Sequence, residues 1–390
     1  MKRIVSLVGS ALLAVVLIFT AVHRNQFFDS KVYYGAVKYW FRDGGMVYDW
    51  LKPGTPYGFT YPPFAGLVMS PMSVLPFAAV VVLASIGTVL TTALLVWWLA
   101  GSVLRRTGHP LWFVFGLACC AGLAFEPVRE TFSFGQVNLL LLTVVTGDML
   151  FGVARGRWWG GIGIGLATAI KLTPGVFILY LLVTRRWKEA GTAIGAAAGA
   201  SVLAGALFPD QSREFWTSAL WDTNRVGSLQ FLSNQSERGM IARLPYDQIG
   251  SKIWLVCVLI TLVWWGLRVA RNPGDVVGGL ALTGVLGCLV SPVTWIHHCV
   301  WLIPALIRCL ERGWSGVGRG PAWLATAAYV LMTSHLAWLW ENRPWPPMAI
   351  LGSNLYVLFS LALLIWTPIG AGVPAPDPAP EKVLTGADGR

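Results

Sequence analysis

The stretch from Arg155 to Arg186, RGRWWGGIGIGLATAIKLTPGVFILYLLVTRR, decides the fold class of this chain. Arginines flank it on both sides, and the 27 residues between them, 158–184, carry one charge, Lys171. Short basic flanks stay in the cytoplasm by the positive-inside rule. At ~1.5 Å per residue each half reaches about 20 Å, too short for a hydrocarbon core of ~30 Å. We therefore predict a bent pair of short helices that enters the membrane and returns, with Lys171 at its tip.

Around this segment, about a dozen apolar stretches alternate with polar connections of two kinds. The short connections carry Arg and Lys, as at Arg105-Arg106 and Arg268. The long connections, roughly 23–79 and 209–251, hold Asp, Asn, Gln, Tyr and Trp. Since the positive-inside rule applies to short loops and has little force in long ones, the short basic loops indicate the cytoplasmic face. The long polar loops are then predicted to lie outside.

The composition is typical of a membrane protein. Hydrophobic residues make up 55 % of the chain and charged residues 12 %, with a mean hydropathy of +0.62, whereas a soluble protein carries about 25 % charged residues. The 21 Trp and 18 Phe suit aromatic belts at the membrane interfaces. The net charge of +11 is spread over short loops, which favours contact with anionic lipid and argues against nucleic acid. The six cysteines lie in or beside apolar runs and are predicted to be buried hydrophobes.

This pattern predicts an all-α polytopic membrane protein of about twelve transmembrane or re-entrant helices, with both termini in the cytoplasm. The first apolar run, 4–22, resembles a signal peptide but is predicted to stay as a helix, because no small-x-small cleavage site follows it. Residues 1–367 are predicted to form one membrane-embedded domain. Residues 368–390 are rich in Pro, Gly, Ala and Asp and are predicted to be a disordered tail. Beyond the hairpin, helices are predicted over 80–104, 111–125, 137–154, 188–208, 252–269, 276–290, 297–310, 322–340 and 348–367.

Asp29 is the outer carboxylate best placed for chemistry. It lies just beyond the first predicted helix, between Phe28 and Tyr33. A carboxylate among aromatic residues at the membrane surface is partly desolvated, which tends to raise its pKa and makes it usable as a general base. The alternative is that Asp29 or Ser30 caps a helix that starts near Val32.

Two further outer segments carry polar and aromatic side chains. In 57–64, YGFTYPPF, prolines hold aromatic faces that suit either stacking on sugars or anchoring at the membrane interface. The short loop predicted over 126–136 contains Arg129, whose planar guanidinium suits a phosphate. An ion pair of Arg129 with Glu126 or Glu130 is the alternative.

Lys171 is the strongest signal from membrane physics. An ionisable side chain inside a hydrophobic hairpin costs roughly 2.5–3.5 kcal/mol on insertion scales, so it is expected to have a partner or a role. The break Lys-x-x-Pro directs Lys171 toward the outer face, where an anion is the expected partner. Apolar residues on both sides disfavour the alternative of a snorkelling lysine.

The stretch 291–298, SPVTWIHH, is predicted to lie at an outer helix end. Adjacent side chains on a helix point about 100° apart, and a zinc site needs further ligands. His297 and His298 are therefore predicted to form hydrogen bonds or handle protons, with a structural role as the alternative. Asn234, in the second long loop, belongs to a segment that could cover a site.

Six segments resemble, in order, the polyprenol-phosphate-mannose-dependent α-(1→2)-mannosyltransferases of actinobacteria, which form glycosyltransferase family 87 and have the GT-C membrane fold. The resemblance is closest to the mycobacterial phosphatidylinositol-mannoside and lipomannan mannosyltransferases. The matching segments, spread over about 25–305, are 28–33 (FDSKVY), 59–64 (FTYPPF), 134–140 (FGQVNLL), 165–174 (GLATAIKLTP), 234–236 (NQS) and 291–298 (SPVTWIHH).

The resemblance implies a mannosyl donor on a polyprenol phosphate, a mannosylated cell-envelope glycolipid as acceptor, and an active site at the outer face of the plasma membrane. It implies that Asp29 is the base. From the residues themselves, we expect Lys171, together with Arg129, to bind the donor phosphate. Neither a metal nor another cofactor is expected, because cationic side chains can neutralise a lipid phosphate. The residues expected to position the sugars are Tyr61, Gln136, Asn138, Asn234, Trp295, His297 and His298.

Two alternatives stay open at this point. One is transfer of another polyprenol-phosphate-linked sugar, such as arabinofuranose or glucose, because pocket shape selects the sugar. The other is a lipid or sugar transporter. A transporter should show inverted repeats and ionisable residues near the bilayer midplane, whereas here such residues cluster at outer helix ends.

Overall fold

A computed structural model describes residues 1–222, 225, 227–244, 249–314, 318–341 and 347–370. Within these ranges the regular structure is helical, and β pairing is limited to two isolated bridges, Leu51 with Gly58 and Asn234 with Trp295. The all-α prediction is thus confirmed for the described residues, while the predicted tail lies outside them from residue 371 onward. In chain order the α-helices are α1 Lys2–Asn25, α2 Phe28–Phe41, α3 Pro63–Val68, α4 Phe77–Arg105, α5 Leu111–Ala124, α6 Glu126–Phe134, α7 Asn138–Gly147, α8 Ile162–Ile170, α9 Val176–Val183, α10 Trp187–Leu207, α11 Pro209–Glu214, α12 Glu237–Ala242, α13 Gly250–Ala270, α14 Val276–Val290, α15 Ile303–Trp314, α16 Gly320–Thr333, α17 Pro347–Ser353 and α18 Leu355–Trp366.

Within the described ranges, four helices are long and apolar enough to span a membrane: α1, α4, α10 and α13. Helices α5 and α6 add a fifth span if the pair, bent by 66°, counts as one. Four shorter apolar helices lie at 138–153, 173–183, 276–290 and 355–366. About twelve crossings therefore stay a prediction. One reason for the lower number is that predicted stretches break, as 348–367 does at Asn354 between α17 and α18.

The hairpin predicted over 158–184 is confirmed as a pair of short helices. Helix α8 ends at Ile170, Lys171 has extended backbone angles, and a 3-10 turn over Thr173–Gly175 leads into α9. Both ends of the pair return to one region, because the Asp148 carboxylate accepts bonds from the Gly161 and Ile164 amides and Arg186 donates to the Val153 carbonyl. Lys171 therefore lies at the tip.

Helix α8 packs against α10 at very close range. A Cβ atom added to Gly165 would lie 2.7 Å from the Cβ of Ala196 and closer still to the carbonyl oxygen of Ala193. Real Cβ atoms avoid such separations, so glycine is required where the two backbones meet. This contact fixes the position of the hairpin relative to α10.

The outer loop predicted over 126–136 is instead mostly the helix α6. Pro127 lies in its first turn, where its missing N–H leaves no additional unpaired donor. The helix ends at Phe134 and is followed by Gly135, which has a φ of 69°, the left-handed conformation that glycine adopts freely at helix ends. Gln136 follows directly, so this helix end determines where the Gln136 side chain lies.

Two residues, Gln26 and Phe27, join α1 to α2. Both are left-handed, with φ of 48° and 54°. This conformation costs residues other than glycine roughly 1–2 kcal/mol each, so contacts from elsewhere must maintain the corner. The amide of Phe27 donates to the Ser133 carbonyl of α6 at 2.8 Å.

The two long segments that the sequence predicts to lie outside pack on each other. Val37 and Tyr48 from the first segment form an apolar cluster with Phe215 from the second. The Gln211 side-chain oxygen also accepts a bond from the Val47 amide at 2.9 Å. The segments predicted over 23–79 and 209–251 therefore share one small core, separate from the main core around α14.

Candidate active site

A cavity of about 460 Å³ lies between the small core shared by the two long segments, the hairpin tip and the segment that precedes α15. Its size suits a small ligand or a sugar unit. Among the described residues that line it, Asp29 is the single carboxylate. The other lining residues predicted from the sequence are Tyr61, Gln136, Lys171, Trp295, His297 and His298.

Asp29 is the second residue of α2 and points into this cavity. No side-chain hydrogen bond caps the start of α2, so the structure does not support the helix-cap alternative. Instead the Gln136 amide donates to Oδ2 of Asp29 at 2.7 Å. Burial raises the pKa of Asp29 to about 6, although the Gln136 hydrogen bond and the charge of Lys171 oppose the rise. A carboxylate with this pKa can accept a proton at neutral pH.

A chain of hydrogen bonds connects Asp29 to Lys171. The other end of the Gln136 amide accepts a bond from the Tyr61 hydroxyl at 2.9 Å. The Lys171 ammonium donates to the same hydroxyl at 3.2 Å, and the hydroxyl of Tyr33 lies 2.8 Å from it. Tyr61 therefore lies between the acidic and the basic group of the cavity.

Lys171 is 8 % exposed and has three polar contacts. Besides Tyr61, its ammonium donates to Oδ1 of Asn138 at 2.9 Å and lies 3.1 Å from Nε2 of His298. None of these partners is a carboxylate, and the ammonium also faces the cavity. The predicted anionic partner is thus not supplied by these contacts, which leaves the cation available to an anion in the cavity.

The two histidines have different surroundings. Nδ1 of His298 accepts a hydrogen bond from the Trp295 amide, and Nε2 of the same ring faces the Lys171 ammonium. His297 lines the cavity, and its buried Nε2 has no hydrogen-bond partner among the described residues. A buried polar atom without a partner is costly, so Nε2 of His297 is available to a ligand hydroxyl.

The structure does not bring Arg129 to the cavity. Its guanidinium donates to the carbonyl oxygens of Ala124 and Thr333 at 3.0 Å. The alternative ion pairs are absent as well, because Glu126 bonds to His335, while Glu130 pairs with Arg24. Arg129 therefore has a structural position within the described fold.

Two other predicted residues lie beside the cavity rather than in it. Asn138 is 1 % exposed, and its Oδ1 accepts a hydrogen bond from the Lys171 ammonium. Asn234 is fully buried, and its Oδ1 accepts the Thr294 amide at 2.9 Å. Asn234 thereby holds the segment that carries Trp295, so both asparagines shape the cavity wall.

Sequence reasoning missed Arg225, which lines the cavity. Its guanidinium donates to the Tyr48 carbonyl at 2.7 Å and pairs with Asp222 at 3.2 Å. The available signal was an arginine in the second outer segment, the same segment that carries Asn234. Within the described residues, no group of three His, Cys, Asp or Glu side chains is placed to hold a metal ion.

Comparison with known proteins assigns the chain to a family. The model of glycosyltransferase family 87 matches residues 59–292. A polyprenol-phosphate-mannose-dependent alpha-(1-2)-phosphatidylinositol pentamannoside mannosyltransferase of Mycolicibacterium smegmatis is 34 % identical over 87 % of this chain and 84 % of its own length. A polyprenol-phosphate-mannose-dependent alpha-(1-2)-phosphatidylinositol mannoside mannosyltransferase of Mycobacterium tuberculosis is 33 % identical over 74 % of this chain and 70 % of its own.

A more distant relative is an alpha-(1->3)-arabinofuranosyltransferase of Mycobacterium tuberculosis, 27 % identical over 80 % of this chain and 72 % of its own length. No solved structure matches the chain. The family match covers more than half of the chain and includes Tyr61, Gln136, Lys171 and Asn234. The chain belongs to glycosyltransferase family 87, and the transporter alternative is set aside.

Proposed function

We propose that this enzyme transfers mannose from polyprenol-phosphate-mannose to the 2-hydroxyl of a mannose on a cell-envelope glycolipid or lipoglycan. A phosphatidylinositol mannoside is the acceptor class that the names of the more similar relatives support. We further propose a GT-C membrane fold whose cavity opens on the extracytoplasmic side. The polar cavity residues come from the two long segments, the end of α6, the hairpin tip and the 291–298 stretch, all predicted from the sequence to lie at the outer face, which supports this orientation.

One observation carries the proposal. Among the described residues, one carboxylate and one buried lysine face the same cavity, and the neutral side chains of Gln136 and Tyr61 connect them. This arrangement keeps a base and a cation apart within one cavity. Glycosyl transfer from a lipid phosphate needs these two elements, because one group accepts a proton while the other stabilises a departing anion.

The proposed mechanism is a single displacement with inversion. A β-linked donor yields an α-linked product when the acceptor oxygen attacks C1 from the face opposite the phosphate. Asp29 accepts the proton of the 2-hydroxyl as the new C–O bond forms. The bond from C1 to the phosphate oxygen breaks, and its electron pair leaves with the polyprenol phosphate. Lys171 stabilises that negative charge electrostatically.

The remaining cavity residues would hold the sugars. Nε2 of His297 has no partner among the described residues and is available to a sugar hydroxyl. Tyr61 and Trp295 line the cavity, and aromatic rings suit contact with sugar rings. Asn138 and His298 keep the Lys171 ammonium at the cavity surface.

A second candidate is transfer of a pentose from another polyprenol phosphate. The arabinofuranosyltransferase relative supports it, although its 27 % identity is below the 34 % of the mannosyltransferase. Both reactions would use the same base and the same cation. The sugar of the donor is therefore what an assay must distinguish.

The test uses the purified enzyme in nanodiscs with labelled polyprenol-phosphate-mannose, polyprenol-phosphate-arabinose and mannosylated lipid acceptors. We expect the parent enzyme to transfer mannose. In Asp29→Asn the turnover should fall about 10²–10⁴-fold, because that is the usual contribution of a general base. Donor binding should persist in the variant. Near-parental turnover of Asp29→Asn, or transfer of arabinose alone, would contradict the proposal.

A further inference from the structure

Glu130 is a buried carboxylate that the proposed mechanism does not use. It lies in α6, is 2 % exposed and does not line the cavity. The Asn25 amide donates to its Oε2 at 2.7 Å, and Arg24 forms an ion pair with its Oε1. Glu130 therefore holds the last turn of α1, directly before the left-handed residues Gln26 and Phe27.

The same helix holds the corner at a second point. The Asn25 amide also donates to Oγ of Ser133 at 2.8 Å, and the Phe27 amide donates to the Ser133 carbonyl at 2.8 Å. Left-handed residues other than glycine persist only where surrounding contacts impose that conformation. Glu130 and Ser133, three residues apart on α6, supply those contacts.

The end of α6 contacts the other side of the corner. Oγ of Ser30 donates to the Gly135 carbonyl at 3.1 Å, and Gln136 donates to Asp29. A Cβ atom at Gly135 would clash with Ser30. Helix α6 and the two residues that follow it thus bind the chain both before and after the corner, and the corner sets where Asp29 meets Gln136.

We infer that Glu130 is a positioning residue for Asp29, an inference that rests on the proposed function because it takes Asp29 as the general base. Without the Glu130 contacts, the corner leaves its left-handed conformation and the first turn of α2 rotates. Asp29 then moves away from Gln136 and from the acceptor hydroxyl. Lys171 lies on a separate element, so donor binding is unaffected.

The experiment measures full-length Glu130→Ala and Asn25→Ala in nanodiscs with the labelled mannosyl donor. We expect kcat to fall about 10- to 100-fold, since a displacement of ~1 Å can cost 10²-fold, with the donor KM unchanged. The acid limb of kcat/KM should also move to higher pH, because Asp29 loses the hydrogen bond that favours its charged form. If Glu130→Ala does not fold, Glu130→Gln keeps an acceptor for Asn25 and is measured in the same way.

Two further variants separate positioning from general stability. The double variant Gln26→Gly/Glu130→Ala should have a kcat several-fold higher than Glu130→Ala alone. Glycine adopts the left-handed conformation without strain, and the Gln26 side chain is exposed, so its loss removes no buried contact. Glu126→Gln is the matched control. It alters a buried carboxylate of the same helix whose direct partners are His335, Trp338 and Tyr356, and which reaches Arg24 indirectly, through His335. Because Glu126 makes no direct bond to Asn25, Gln26 or Phe27, the kcat of the folded variant should stay at the parental value.

Parental kcat and an unmoved acid limb in both Glu130→Ala and Asn25→Ala, with Asp29→Asn inactive, would overturn this inference and leave the proposed function standing. Equal losses in Glu126→Gln and Glu130→Ala, without recovery by Gln26→Gly, would also overturn it, since Glu130 would then act only on stability. A fully active Asp29→Asn would instead overturn the proposed function.

Discussion

Asp29 combines access to the cavity with a pKa that burial raises to about 6. As a general base it works only when ionised, so kcat/KM should fall about tenfold per pH unit below that pKa and level off above it. The Gln136 hydrogen bond favours the ionised form. Gln136→Leu removes this bond and should move the acid limb to higher pH.

The measurement is the pH profile of kcat/KM for the parent and Gln136→Leu between about pH 4.5 and 8.5, a range that brackets this pKa. Tyr33→Phe is a suitable control, because it alters the Tyr61 contact but leaves the Gln136 bond to Asp29. Its acid limb should stay near pH 6. A limb that stays in place or moves downward in Gln136→Leu would contradict the assignment of the base to Asp29.

Lys171 is the second residue whose chemistry can be tested directly. Lys171→Met keeps the apolar stem and removes the charge, so we expect weaker donor binding and about 10²–10³-fold slower turnover, as for loss of an electrostatic stabiliser. Lys171→Arg should retain part of the activity, because charge survives while the geometry changes. Donor affinity and single-turnover rates measure both effects.

The control for this pair is Lys188→Met, which removes an exposed lysine at the start of α10, on the opposite side of the hairpin from its tip. Parental affinity and turnover are expected for it. If Lys171→Met matched the parent in the same measurements, the phosphate would be held elsewhere, and Arg225 would be the next cation to test.

At the scale of the element, the position of the hairpin depends on its contact with α10. Gly165→Ala would force α8 away from the backbone of Ala193, and overpacking of this kind costs about 1–3 kcal/mol. The displaced helix would carry Lys171 with it. We expect a lower melting temperature together with weaker donor binding.

Gly195→Ala is the matched control, since a Cβ there meets no atom within 4 Å. Alanine is the better helix former by about 1 kcal/mol, so this variant should be neutral or stabilising. The melting temperatures of Gly165→Ala and Gly195→Ala in detergent, each compared with the parent, test this difference. Equal melting temperatures would show that α8 and α10 separate without cost.

At the scale of the molecule, the shared outer core constrains the topology. Tyr33 and Phe59 from the first long segment pack with Phe215 from the second, so both segments must lie on one side of the membrane. A reporter fused after Leu104 or Thr184 should read as cytoplasmic, and one inserted after Ser228 as external. Cytoplasmic accessibility of Asp29 would contradict an active site on the outer face.

Several features follow from the sequence alone because they depend on local patterns. Hydropathy determines the all-α class, and the long helices α4, α10 and α13 end within a few residues of the predicted bounds. The short apolar arms between basic flanks determine the α8–α9 hairpin and the position of Lys171 at its tip. The six ordered segments indicated the family that comparison with known proteins confirms.

The tertiary structure decided which polar side chains meet, since their partners are distant in sequence. Gln136 reaches Asp29 across 107 residues, and Lys171 reaches Tyr61 across 110. The same long-range packing directs Arg129 to the carbonyl of Thr333 and brings Arg225 to the cavity instead. Residue type and spacing indicate what a side chain can bind. Which partner it binds depends on how the helices pack, and no local pattern of this chain contains that information.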